Sequence, residues 1–95
     1  MSPKNIKQLN KIRTKLDKVD SRLISLIKNR TNLVNDVLKL KKFKKEIVDK
    51  KRISSILKRI KQKSIKLKID TKVTHRIWKN MIWAYVDYEK RKFRK

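Results

Sequence analysis

Ten positions from Leu9 to Leu40 recur at alternating spacings of three and four residues, and nine of them are apolar: Leu9, Ile12, Leu16, Val19, Leu23, Leu26, Leu33, Val37 and Leu40, with Arg30 the exception. A stripe with this period is the seam by which one long helix lies against another. Nothing in the sequence breaks it. The only Pro is Pro3 and Gly is absent, so the two strongest helix breakers are missing from Lys4 onward. Ser2 and Pro3 read as N-cap and first helical residue. A helix of roughly 38 residues would be a rod of about 57 Å, whereas a compact domain of this size has a radius of gyration of about 12 Å. The remainder of the chain is too short to cover such a rod. The seam therefore predicts a partner, most simply the same helix of a second copy, in a two-fold intertwined dimer.

After Phe43 the segment KKEIVD interrupts the seam, and Asp49 reads as the N-cap or a first-turn acid of a second helix. Ile53, Ile56, Leu57 and Ile60 give that helix one apolar face, ending near Lys63, and KQKSIKLKID reads as a basic connector. Asp70 or Thr71 caps a third helix, expected to run to about Arg91, with the apolar row Val73, Ile77, Met81, Ala84 and Tyr88 widened by Trp78, Ile82 and Tyr85. The C-terminal KRKFRK reads as a fraying, solvated end. The fold class is thus all-α, with three helices per chain, a very long first helix and an intertwined helical homodimer. Residues 1–95 form one helical domain with no internal repeat.

Composition removes several kinds of chemistry. With no Cys and a single His, His75, there is no disulfide framework, no thiol nucleophile and no zinc ligand set. Without Gly there is no phosphate-cradling loop. No cofactor and no metal is expected. No apolar run approaches a membrane span, and the N-terminus has no signal-peptide core, so the expected location is cytoplasmic with no membrane partner. The balance of 31 Lys and Arg against 8 Asp and Glu, a net charge of +23, would ordinarily point to nucleic acid or an anionic membrane surface. Yet the cations are spread through every segment and do not line one helix beside stacking aromatics, which argues against nucleic acid. An excess of Lys, Asn and Ile also follows from a coding sequence rich in adenine and thymine.

Arg30 demands a reason. A guanidinium in a Leu, Ile and Val seam is costly to desolvate unless it meets an anion or a wet cavity, although a register-setting polar residue or a snorkelling side chain is the plain alternative. Lys41 follows by eleven residues, almost a whole number of turns, so it falls on nearly the same helix face about 16 Å further along. Arg13 precedes Arg30 by seventeen, too far to share a small site within one chain; in an antiparallel dimer the other copy's Arg13 would come within reach. Such a composite pocket would hold a small multivalent anion.

The run IRTKLDKVDSRLISLIKNRTNLVNDVLKLKK, Ile12 to Lys42, resembles the first helix of the all-helical, AroQ-class chorismate mutases. VDKKR at Val48 to Arg52 is similar to the start of that family's second helix, and RIWKNMIWAYVDYE at Arg76 to Glu89 to its third. The resemblance implies an intertwined dimer with two equivalent sites that rearranges chorismate to prephenate without a cofactor. It implies that Arg30 and the other chain's Arg13 clamp the two substrate carboxylates, that Lys41 bonds the ether oxygen and a carboxylate, and that Arg52 adds positive charge beside the ring. Asp49 would hold the ring hydroxyl, Glu89 would face the ether oxygen, and Tyr85 would form part of the wall. A pericyclic reaction suits so spare a chain, because it needs a dianion held in a reactive conformer and stabilisation of charge growing on one oxygen.

Two departures bear on substrate and mechanism. Many members of the family have Glu directly after the second-helix Arg; Ile53 stands there. The related isochorismate pyruvate lyases tend to be apolar at that position and have a Tyr where Tyr85 falls, which keeps their reaction as an alternative. Glu89 assists an ether oxygen only as a protonated donor, since a carboxylate would repel the developing charge. Other readings are a small basic nucleic-acid-binding protein, which leaves Arg30 unexplained, and a pure coiled-coil module. In both the coiled-coil and the enzyme readings Arg30→Leu strengthens subunit association; only the enzyme loses turnover, so the dissociation constant by analytical ultracentrifugation and a chorismate assay on the same variant separate the two.

Overall fold

The computed structural model describes residues 1–94, and Lys95 lies outside the described residues. It is all-helical: α1 spans Pro3–Leu40, α2 Lys50–Lys66 and α3 Thr71–Lys92, with a short 3-10 turn at Lys44–Glu46 between α1 and α2. No strand occurs among the described residues. By its contacts the chain divides after Leu33.

The unit up to Leu33 is the first thirty or so residues of α1. The Ser2 hydroxyl accepts the Asn5 amide at 3.2 Å, which satisfies one of the amides a helix start leaves open. Thr14, Ser21, Ser25 and Thr31 each donate their hydroxyls to the carbonyl four residues back, at 2.8 to 3.2 Å, so these small polar residues stay paired inside the helix. The seam is wet in the single chain. Leu16 is 55% exposed and Leu26 61%, and Ile12, Val19 and Leu23 are likewise exposed. At about 25 cal/mol per Å² of apolar surface, a stripe of this kind is a strong incentive for association.

The unit from Val34 onward holds the end of α1, the 3-10 turn, α2 and α3. Its core is Leu38, Ile47 and Val86, with Val48 and Phe93 packed against it. Asp49 caps α2, accepting the Arg52 amide at 3.0 Å, and Asp70 caps α3, accepting the Lys72 amide at 2.8 Å. α2 and α3 pack on each other and are tied by Ser64 Oγ and Thr74 Oγ1 at 2.7 Å, while Ser64 also donates to the Ile60 carbonyl.

Three local expectations are corrected. α2 does not stop near Lys63 but runs to Lys66. It ends in a paired turn in which the Ile69 amide reaches the Ser64 carbonyl at 2.8 Å and the Lys68 amide the Ile65 carbonyl at 3.1 Å, the bond pattern of a Schellman end. The face of α3 turned inward is also different. Ile82, Val86 and Glu89 are buried; of the expected row Val73, Ile77 and Ala84 are exposed and Met81 and Tyr88 half-buried, so the inward face is centred on Ile82 and Val86. Trp78 is half-buried and Trp83 exposed. Lastly, Phe93 within KRKFRK is half-buried against the core and not part of a solvated tail.

The turn after α2 needs a left-handed residue, and a chain without Gly supplies Lys68 at φ 58°. A Cβ in that region costs on the order of 1 kcal/mol. Lys68→Gly relieves the strain while adding freedom to the unfolded chain, for a net gain of about 0.5 kcal/mol; the midpoint of urea unfolding should rise accordingly, with helix content by circular dichroism unchanged.

Candidate active site

The residues singled out from the sequence fall on both units. Arg13 is exposed and Arg30 half-buried, both on α1 before Leu33. Lys41, Asp49, Arg52, Tyr85 and Glu89 belong to the second unit, where their relations are explicit.

Lys41 directly follows the last residue of α1, its amide closing on the Leu38 carbonyl at 3.2 Å. Its ammonium donates to Glu89 Oε1 at 3.0 Å, across 48 residues of chain. Both side chains are withdrawn from water, at 17% and 9% exposure. Glu89 lies one turn beyond Val86 on the buried face of α3. A charged pair held this far from solvent interacts more strongly than a surface pair, but each member depends on the other to offset lost hydration.

Tyr85, one turn before Glu89, is half-buried and meets Tyr88 edge to face, with ring centroids 6.2 Å apart. Tyr88 donates its hydroxyl to Asn35 Oδ1 at 2.8 Å, and the Lys92 ammonium stands 5.9 Å from its ring centre. Asn35 was not indicated by sequence, since a single Asn on a polar flank of the seam carries no periodic signal, and Tyr88 read only as an apolar row member. An open hollow of about 370 Å³ beside this bond is lined by Asn35, Leu38, Lys39, Lys92, Phe93 and Arg94.

At the start of α2, Asp49 and Arg52 are brought together through the cap: Asp49 Oδ1 holds the Arg52 amide, and both side chains are exposed. A second open hollow, about 480 Å³, is lined by Glu46, Val48, Asp49, Lys50 and Lys51. Ile53, the next residue after Arg52, is half-buried. Among the described residues no cluster of His, Cys, Asp and Glu can hold a metal ion. The groups offered are cations, one buried carboxyl and aromatic edges, an arrangement that can orient an anion and stabilise charge on it but has no nucleophile set beside a base.

The family model described as chorismate mutase type II matches residues 12–90, most of the chain and all three helices. No curated protein and no solved structure matches the chain.

Removing one member of the buried pair is more harmful than neutralising both. Lys41→Met strands the Glu89 carboxyl and should cost about 1–3 kcal/mol. Glu89→Gln, and the double variant with Lys41→Met, should cost less than Lys41→Met alone; urea unfolding of the three variants gives the comparison.

Proposed function

The chain belongs to the chorismate mutase type II family, and from that premise we propose that it converts chorismate to prephenate in a cationic pocket shared by two copies of the chain. The observation that carries the proposal is the Lys41–Glu89 contact at 3.0 Å. It joins the two groups that the sequence resemblance assigns to the ether oxygen, 48 residues apart, in a partly dry setting.

The chemistry follows from charge. In the rearrangement the ether C–O bond breaks as a C–C bond forms within the same molecule, and negative charge grows on the departing oxygen. No external reagent enters. Arg30 and Arg13 of the partner subunit grip the two carboxylates and hold the substrate in its folded, reactive conformer. Lys41 turns a donor to the ether oxygen and so stabilises the transition state more than the ground state. Arg52 raises the local potential, and Asp49 receives the ring hydroxyl at the start of α2. Glu89, in hydrogen-bond contact with Lys41, faces the same oxygen from beside it. The exposed seam of α1 supports the shared pocket, because pairing α1 with its copy buries the stripe and brings Arg13 to the other chain's site. Catalysis needs no cofactor, and the enzyme works in the cytoplasm.

One feature favours a second reading. Ile53, half-buried beside Arg52, replaces a polar contact to the substrate hydroxyl, which suits isochorismate and its cleavage to salicylate and pyruvate on the same scaffold. Product analysis with each substrate decides: prephenate from chorismate supports the mutase, salicylate plus pyruvate from isochorismate the lyase, and turnover of neither overturns both.

One further outcome is expected. Arg13→Ala and Lys41→Met are each inactive alone; mixing the two after unfolding and refolding restores about a quarter of the wild-type sites, because half the dimers are mixed and each mixed dimer has one intact site. Initial rates on chorismate give the comparison.

A further inference from the structure

The corner between α2 and α3 is where exposed aliphatic side chains and positive charge coincide. Ile65, Leu67 and Ile69 are 61%, 69% and 44% exposed, and alternate with Lys66 and Lys68, both exposed, as is Lys63 one turn earlier. From Lys50 to Ile69 the chain has nine Lys and Arg and no Asp or Glu. Along the sequence the cations look evenly spread, but the fold sorts them. α2 turns Ile56 and Ser64 inward and leaves every one of its Lys and Arg residues exposed. The corner is held rigid by the Ile69–Ser64 and Lys68–Ile65 backbone bonds, so little ordering is needed for it to dock. None of its residues belongs to the α1 seam or to the proposed site.

We propose that this corner rests on an anionic lipid surface, with Ile65 and Leu67 entering the boundary between headgroups and acyl chains while Lys63, Lys66 and Lys68 lie among the phosphates. Aliphatic side chains ringed by Lys fit that boundary, which is apolar on one side and negative on the other. They do not fit nucleic acid: no aromatic residue lies between Lys50 and Ile69 to stack on a base, and a phosphate backbone offers the exposed Ile and Leu nothing apolar. They do not fit a second copy of the same corner, which would set Lys against Lys. Among the described residues no helix is long and apolar enough to cross a membrane, so the proposed contact is peripheral.

The test uses full-length protein sedimented with vesicles of phosphatidylcholine alone or with about one third phosphatidylserine. The protein should follow the anionic vesicles and stay in solution with the neutral ones. I65S/L67S should weaken binding by about tenfold or more and K63Q/K66Q should weaken it as well, with chorismate turnover unchanged in both. Because the chain has no Cys, a single environment-sensitive label on I65C reports depth: its emission should shift to the blue on anionic vesicles, while the same label on N10C does not shift. Full binding by I65S/L67S, or an unshifted label at position 65, would assign the association to net charge and overturn the proposal. So would wild-type protein remaining in solution with anionic vesicles. Polyglutamate binding lost to the same degree in I65S/L67S would give the corner to an acidic protein, and that too overturns it.

Discussion

An ammonium and a carboxylate 3.0 Å apart fix where the end of α1 meets the end of α3. The pair sits beside the Leu38, Ile47 and Val86 core, so apolar packing and ionic pairing constrain the same junction. Neither would suffice alone. The core is small, and three aliphatic side chains contribute only about 1.5–3 kcal/mol each on full burial. The ion pair stabilises only if packing holds it together and keeps bulk water away. Together they hold Lys41, directly after the end of α1, against Glu89 of α3.

The helices were legible from the sequence because their determinants are local. Ser2, Asp49 and Asp70 are short acceptors placed directly before helical runs, and all three cap as expected. The period of the α1 seam and the lack of Gly and Pro left no competing element. What local pattern does not reveal is which stripe of a helix turns inward. Of the row Val73, Ile77, Met81, Ala84 and Tyr88 on α3 only Met81 and Tyr88 are half-buried, and full burial falls on Ile82, Val86 and Glu89. Glu89 takes its place there through Lys41, 48 residues away, which no local pattern reveals. The end of α2 was hidden for a related reason: its usual marker is Gly, and here Lys68 takes the left-handed position.

For the candidate site, spacing along α1 selected Arg13, Arg30 and Lys41, because a seam of aliphatics makes each cation near it conspicuous. Asn35 and Tyr88 escaped notice because their hydrogen bond links an unremarkable helix position to a residue already counted as apolar. The positive charge behaved the same way. Read along the chain it is diffuse, and only folding, which spends the inner face of α2 on Ile56 and Ser64, gathers the cations outward.

The wet stripe on α1 has a consequence for the cell that makes this protein. Under the proposed pairing of α1 with its copy, the folded state gains stability as the chain becomes more abundant. Doubling gene dosage would then more than double the folded yield at low expression, and neighbouring ribosomes on one message would become a favourable place for two nascent chains to meet before dilution separates them.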